Sequence, residues 1–271
     1  MHNLGRVVRF SINPFSPEVA GSNSYASKPS CEDLGLFFEL FVELSGNVEP
    51  ASGFVVNVHQ IDRAVRRFVV PEFVRYLQIH FKKRKGVNLA GMFDLLEVSR
   101  AKLVNKFGSS RLRQLSLSLN PFRTITLKGE DKEMLYFSEK FEFAAMHKLW
   151  NKDFSEQRNL DEFGKCANPT GHGHNYIIEV TVKLPDGYDT AKPEEFRIGE
   201  FERIVEKEFI ELVDHKNLNA DVPEFCDTNP TVENISAFAW GRLIGKFYAV
   251  KLHKVKIWEN DRTYCTYFEV Q

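Results

Sequence analysis

Slid against itself by about 140 residues, the 271-residue sequence comes back into register. Glu39-Leu40-Phe41-Val42-Glu43-Leu44 meets Glu179-Val180-Thr181-Val182-Lys183-Leu184, and Ile61-Asp62-Arg63-Ala64-Val65 meets Phe201-Glu202-Arg203-Ile204-Val205. Asn120-Pro121-Phe122-Arg123-Thr124 meets Glu259-Asn260-Asp261-Arg262-Thr263 with a one-residue slip. One offset that holds across a strand-like and a helix-like segment predicts two copies of one unit, 1–131 and 132–271. Each half must then close its own modest core, and a chain that is 43% hydrophobic has the material for two.

The apolar spacing predicts the same elements in both copies. In the first, strands fall at about 6–12 and 35–44, helices at about 59–81 and 92–107, and strands at about 112–119 and 122–128. In the second, strands fall at about 135–146 and 174–184, helices at about 200–213 and 231–247, and strands at about 251–259 and 262–270. The helices rest on stripes such as Ile61, Ala64, Val65, Phe68 and Phe201, Ile204, Val205, Phe209. The order ββααββ, twice, is an α+β arrangement with helices on one face of an antiparallel sheet. Pro71 falls inside the first long helix and is expected to split it.

Composition narrows the function classes. Thirty-six basic residues against 37 acidic ones leave no field for nucleic acid. The run Lys82-Lys83-Arg84-Lys85 reads as a solvated loop. No signal peptide and no apolar run of membrane length is seen, so a cytoplasmic protein without a membrane partner is expected. Four scattered cysteines fit a reducing compartment. The Ser- and Pro-rich stretch Asn13 to Asp33 reads as a mobile loop.

The residues with chemistry cluster in the second copy. His172 and His174 open a stretch dense in β-branched and aromatic residues, Tyr176 to Leu184. On a strand, His-x-His points both imidazoles to one face, which makes poor core but good ligands for a divalent metal such as zinc. His147 ends an earlier strand-like run and is a third candidate, brought alongside by a hairpin. Three protein ligands with one position open is the pattern of a catalytic zinc. Cys166 lies in a Gly/Pro/Asn loop six residues before His172; beside a cation and a His its thiol pKa would fall, suiting a base or nucleophile. Asp214-His215 pairs a carboxylate with an imidazole, as proton transfer requires or as a helix C-terminus attracts a cation. The remaining histidines and cysteines (His59, His80, His253, Cys31, Cys226, Cys265) read as packing.

These motifs, in this order, resemble the 6-pyruvoyl-tetrahydropterin synthase family. The resemblance rests on Phe143-Ala-Ala-Met-His147-Lys-Leu149, on Ser155 through Cys166-Ala-Asn-Pro-Thr-Gly-His172-Gly-His174-Asn-Tyr176, and on Leu212-Val-Asp214-His215-Lys-Asn-Leu-Asn219. Pro230-Thr231-Val-Glu233-Asn234 and Trp258-Glu259-Asn-Asp261 complete it, over roughly the second half of the chain. It implies that His147, His172 and His174 hold zinc, which polarises side-chain hydroxyls of 7,8-dihydroneopterin triphosphate. Cys166 would take a proton from that side chain, Asp214 and His215 would relay it, and triphosphate would leave by elimination. Glu259 would anchor the pterin through its amino-pyrimidinone edge, and Thr231 would add a hydroxyl contact. Read as residues alone, Glu259 is equally an edge-strand carboxylate and Thr231 equally a helix N-cap. The six-residue step from Cys166 to His172 is closer to the pyruvoyl-forming branch than to the 6-carboxy-tetrahydropterin synthases. Pro193 through Gly199 departs from the family stretch, whereas Ser52 through Val58 keeps it.

The resemblance also implies the T-fold, whose sheets join side by side into oligomeric barrels and remove exposed edges. The first copy has lost the chemistry. At this offset His172 faces Glu32, His174 faces Leu34, Cys166 faces Ala26, Asp214-His215 faces Val74-Arg75, and Glu259 faces Asn120; His147 falls opposite Pro14 when Phe10 is matched to Phe143. The expectation is one working site per chain, at a junction between T-fold units, in a homo-oligomer of which three tandem chains would supply six units. The alternatives are a 6-carboxy-tetrahydropterin synthase and a zinc-containing pterin-binding protein without turnover.

Overall fold

The computed structural model describes residues 1–15, 34–129, 134–185, 188 and 196–268. Most of the Ser- and Pro-rich stretch, Cys31 and the residues 193–195 therefore lie outside the described residues. The described chain divides into two units, residues 1–137 with 188, and residues 138–185 with 196–268.

In the first unit, β1 (His2–Ile12), β2 (Leu36–Gly46), β3 (Arg111–Ser118) and β4 (Arg123–Lys128) form an antiparallel sheet in that order. Strand β2 buries Phe38, Leu40, Val42 and Leu44 and turns Glu39, Phe41 and Glu43 the other way, the alternation of a sheet with one face on a core. That core is closed by α1 (Val58–Ala64), α2 (Val70–Lys82) and α3 (Leu89–Leu103). Asn57 and Asn88 cap α1 and α3, their side chains accepting from His59 N–H and Gly91 N–H. Helices α1 and α2 are continuous through a π-helical turn, Val65–Val69, and Pro71 sits in the first turn of α2. Pro71 thus does not split the helix: the wide turn before it absorbs the missing N–H. The basic run ends α2 as exposed residues, with Arg84 in the left-handed region.

The second unit contains β5 (Met134–His147, entered from the first), α4 (Glu156–Phe163), β6 (His172–Lys183), α5 (Ile198–Val205), α6 (Glu211–Val213), β7 (Lys216–Asn217), α7 (Leu218–Asp221), α8 (Val232–Leu243), β8 (Lys251–Trp258) and β9 (Tyr264–Phe268). Its strands run in the order β5-β6-β8-β9, with β6, β8 and β9 antiparallel and β7 parallel to β5. A π-helical turn, Glu206–Ile210, again joins two helical segments, here without a proline. The widened turn belongs to the architecture rather than to Pro71. Helix α4 and the short pair β7 and α7 fall outside the predicted elements: α4 buries Asn159 and presents no apolar stripe, and β7 and α7 span two and four residues.

The two units repeat in detail, with two corrections to the alignment. Leu40 faces Leu117, and Ile178 faces Ile257, so β3 and β8 are 140 residues apart but β2 and β6 only 138. A register shift at Glu43/Leu44 recurs at Thr181/Val182 and pins this match. The counterparts of His172, His174 and Tyr176 are therefore Leu34, Leu36 and Phe38. A slide of two residues keeps the inward-outward alternation, so sequence pattern alone accepts either register. The hairpins correct a second pair. Asn120 Oδ1 accepts from the N–H groups of Phe122 and Arg123, as Asn260 Oδ1 does from those of Arg262 and Thr263. Asn120 thus corresponds to Asn260, and Glu259 to Leu119.

The aromatic cores repeat too. Phe10 stacks on Phe38 at 5.4 Å and meets Phe73 edge-on; Phe143 stacks on Tyr176 at 4.9 Å and meets Phe209 edge-on.

Candidate metal and catalytic site

Strand β5 ends at His147, and β6 beside it begins at His172. Just before β6, Gly171 adopts φ +72° and lacks a Cβ, which would stand 2.9 Å from the His147 carbonyl oxygen. His172, His174 and Tyr176 then share one face of β6. The three imidazoles converge, with ring centroids 4.6 Å apart for His147 and His172, 4.7 Å for His172 and His174, and 5.2 Å for His147 and His174.

His147 is 1% exposed, and its Nδ1 donates to the carbonyl of Pro230 at 2.7 Å. That bond fixes the tautomer and leaves Nε2 as a lone pair facing the cluster. Nε2 lies 3.2 Å from Nε2 of His172, and Oε1 of Glu259 lies 3.6 Å from it and 3.4 Å from His174 Nε2. Ligand nitrogens 2.0–2.1 Å from a tetrahedral zinc stand about 3.3 Å from each other, so this spacing suits such an ion. The donors fall into two groups that share His147, one with Cys166 and His172 and one with His174 and Glu259, each within 4.8 Å. His172 Nδ1 and His174 Nε2 are buried without a hydrogen-bond partner. Burial pushes the pKa of His147 down, against its bond to Pro230, and burial likewise pushes His174 down, against Glu259. Imidazole nitrogens with unshared lone pairs, a thiol and a carboxylate fit a divalent cation of borderline softness.

Cys166 sits on the 3-10 turn Gly164–Ala167, whose Cys166 carbonyl accepts from Leu149 N–H at 2.9 Å. Burial first, and Glu259 second, push its thiol up rather than down. The fall in pKa expected from the sequence therefore has to come from a cation, not from the neighbouring side chains. Asp214 and His215 are held elsewhere on β5. His215 N–H donates to Ala144 O at 2.6 Å, Ala144 N–H donates to Asp214 Oδ1 at 2.8 Å, and His215 Nδ1 donates to Asp214 Oδ2 at 2.8 Å. Ala144 N–H first, then His215, hold the Asp214 carboxyl low. His215 itself has φ +55°, a strained conformation for a side chain of this kind. With Nδ1 occupied, its Nε2 is left for an outside partner across a cleft of about 570 Å³ that His174 also lines. No hydrogen bond or ion pair joins Cys166 to Asp214 or His215 among the described residues.

Thr231 caps α8, its hydroxyl accepting from Asn234 N–H at 3.3 Å, so the cap reading holds. Glu259 begins the β8–β9 turn, its N–H donating to Thr263 O at 3.0 Å. Three features escaped the sequence reading. Pro230 acts through its backbone, which no side-chain motif reveals. Glu259 lies against two of the imidazoles, a proximity that its motif does not show. Tyr176 is fully buried with an unpartnered hydroxyl, and burial first, then Glu259 and Cys166, push its phenol pKa far up. The i, i+2, i+4 spacing of His172, His174 and Tyr176 was the available signal. Of the residues read as packing, Cys226 and His253 are exposed instead.

Comparison with known proteins covers the second half of the chain, which carries this site. The family model of 6-pyruvoyl tetrahydropterin synthase matches residues 136–270. The 6-pyruvoyl tetrahydrobiopterin synthase of Homo sapiens is 38% identical over 130 residues, 48% of this chain and 88% of that protein. The 6-carboxy-5,6,7,8-tetrahydropterin synthase of Aquifex aeolicus is 28% identical over 49% of this chain and 96% of that protein. A solved Caenorhabditis elegans 6-pyruvoyl tetrahydropterin synthase is 27% identical over 51% of this chain and 98% of its own, with a TM-score of 0.46. The chain belongs to the 6-pyruvoyl tetrahydropterin synthase family. It is a 6-pyruvoyl-tetrahydropterin synthase-like lyase. No helix among the described residues is long and apolar enough to cross a membrane.

Proposed function

We propose that this chain converts 7,8-dihydroneopterin triphosphate to 6-pyruvoyl-tetrahydropterin, with loss of triphosphate, at one zinc-dependent site in its second half. The convergence of His147, His172 and His174, with the His147 tautomer locked by Pro230, is the observation that carries this reading. A bound zinc would supply polarisation of the substrate's side-chain hydroxyls, which makes the neighbouring C–H acidic. His147, His172 and His174 would hold it. Cys166 takes the proton from that carbon, and Asp214 with His215 passes protons to and from the side chain. Glu259 accepts two hydrogen bonds from the amino-pyrimidinone edge of the pterin, as a carboxylate does from an arginine fork. Thr231, besides capping α8, contributes a hydroxyl to the pocket.

Because the Asp214–His215 pair does not reach Cys166 within the chain, the relay is completed in a homo-oligomer. We assign residues 132–271 to a catalytic T-fold unit and 1–131 to a degenerate one that lacks metal, base and anchor. Three tandem chains would supply six units and close the sheets into barrels. The reading carries a cytoplasmic location and no nucleic-acid or membrane partner.

The likeness to a protein named 6-carboxy-5,6,7,8-tetrahydropterin synthase supports a second product from the same ligand set. Incubating the zinc-loaded protein with dihydroneopterin triphosphate and weighing the pterin formed separates the cases. A 6-pyruvoyl product supports the proposal, and a 6-carboxy product replaces it. Pterin bound without turnover points to a binding protein.

A further inference from the structure

Positions 38 and 176 are the same place in the two units. Phe38 stacks on Phe10 and Tyr176 on Phe143, each within the same edge-on aromatic cluster, so phenylalanine satisfies the packing. The second unit adds one atom there, a hydroxyl that is buried and without a hydrogen-bond partner, and it adds it in the unit that carries the imidazoles. Ile177 pairs with Trp258 across β6 and β8, and this register carried one step outward sets Tyr176 beside Glu259. The Glu259 carboxylate meanwhile rests against His147 and His174, in the space where their lone pairs point.

We propose that Tyr176 is a positioning residue for Glu259: its hydroxyl donates a hydrogen bond to the carboxylate once the imidazoles are engaged by a cation, and holds it there. A ligand on the carboxylate requires Glu259 to turn away from the rings, which leaves their lone pairs to a cation. Tyr176 offers the donor on the inner side, and the buried hydroxyl gains the partner that burial demands. That the held carboxylate then meets a pterin rests on the function proposed above; the coupling of Tyr176 to Glu259 does not.

The test compares the full chain with Y176F, E259Q and the double variant, each loaded with Co²⁺. Y176F is expected to fold, since position 38 shows phenylalanine in this packing. Its visible Co²⁺ bands should differ from wild type, and the difference should vanish in the E259Q background. Neopterin binding should weaken about tenfold in Y176F, with no further loss when Y176F is added to E259Q. Identical Co²⁺ bands in Y176F and wild type, or equal effects with and without Glu259, overturn the proposal. If wild type fails to bind neopterin while the Co²⁺ coupling is present, the pterin reading falls and the positioning role stands. Should Y176F fail to load, the ultraviolet difference spectrum of wild type on Co²⁺ addition reads the phenol directly. A red shift absent from E259Q supports the bond; no shift in wild type removes it.

Discussion

The carbonyl of Pro230 accepts a hydrogen bond from Nδ1–H of His147 at 2.7 Å, and the next residue, Thr231, caps α8. Helix cap and imidazole tautomer therefore share two consecutive residues. Thr231→Ala should cost about 1 kcal/mol of stability through the lost cap. It should also weaken zinc affinity about tenfold, as changes outside the ligand shell do. Thr231→Ser should restore both, read by thermal denaturation and by chelator competition.

Gly171 is the one glycine next to the cluster that is both left-handed and blocked by backbone. Gly171→Ala places a Cβ against the His147 carbonyl and should destabilise by about 1–3 kcal/mol. Metal retained after dialysis should fall with it. Full retention of metal and stability would show that the turn is not strained.

Acid should loosen the metal-free protein in two stages. His147 and His174 have folded pKa values below the ordinary histidine value, so below about pH 6.5 the unfolded chain binds the extra protons and stability falls. Asp214 is depressed as well, and its contribution, present above about pH 3.9, goes as the pH falls through its folded value. Denaturant melts between pH 8 and 5 should show the first stage, and His147→Gln should reduce it.

Cys166→Ala should abolish turnover while metal content and pterin binding change less than threefold. The thiol stands at the edge of the donor cluster, and three imidazoles remain without it. Single-turnover assays with isothermal titration separate the two effects. Loss of metal in the variant would instead make the sulfur a ligand.

Phe38→Tyr inserts the same hydroxyl into the first unit, where no imidazole cluster lies beside it among the described residues. It should cost about 1–3 kcal/mol, the usual penalty for an unpaired buried hydroxyl. A melt as high as wild type would mean that the hydroxyl finds a partner in either unit.

Much of this protein was legible in the chain. Alternation along 38–44 and 176–182 set the strands, helical stripes such as Phe201, Val205 and Phe209 set the helices, and His-x-His put both imidazoles on one face. These are local periodicities, and backbone geometry converts them directly into direction. The sequence also marked His147, Cys166, Asp214, His215 and Glu259 as one set of residue types.

Tertiary structure decided the relations that periodicity leaves degenerate. A two-residue slide of β2 on β6 preserves every inward and outward side chain, so the pairing and its bulge, not the pattern, set Phe38 opposite Tyr176 in the repeat. The Pro230 contact crosses 83 residues and uses a main-chain oxygen, which every residue possesses. Likewise, Cys166 and the Asp214–His215 pair look alike as motif members, yet chain folding sets them at different places on β5 and its neighbours. A residue's type and its facing are written locally, whereas which atoms meet depends on how distant segments are brought together.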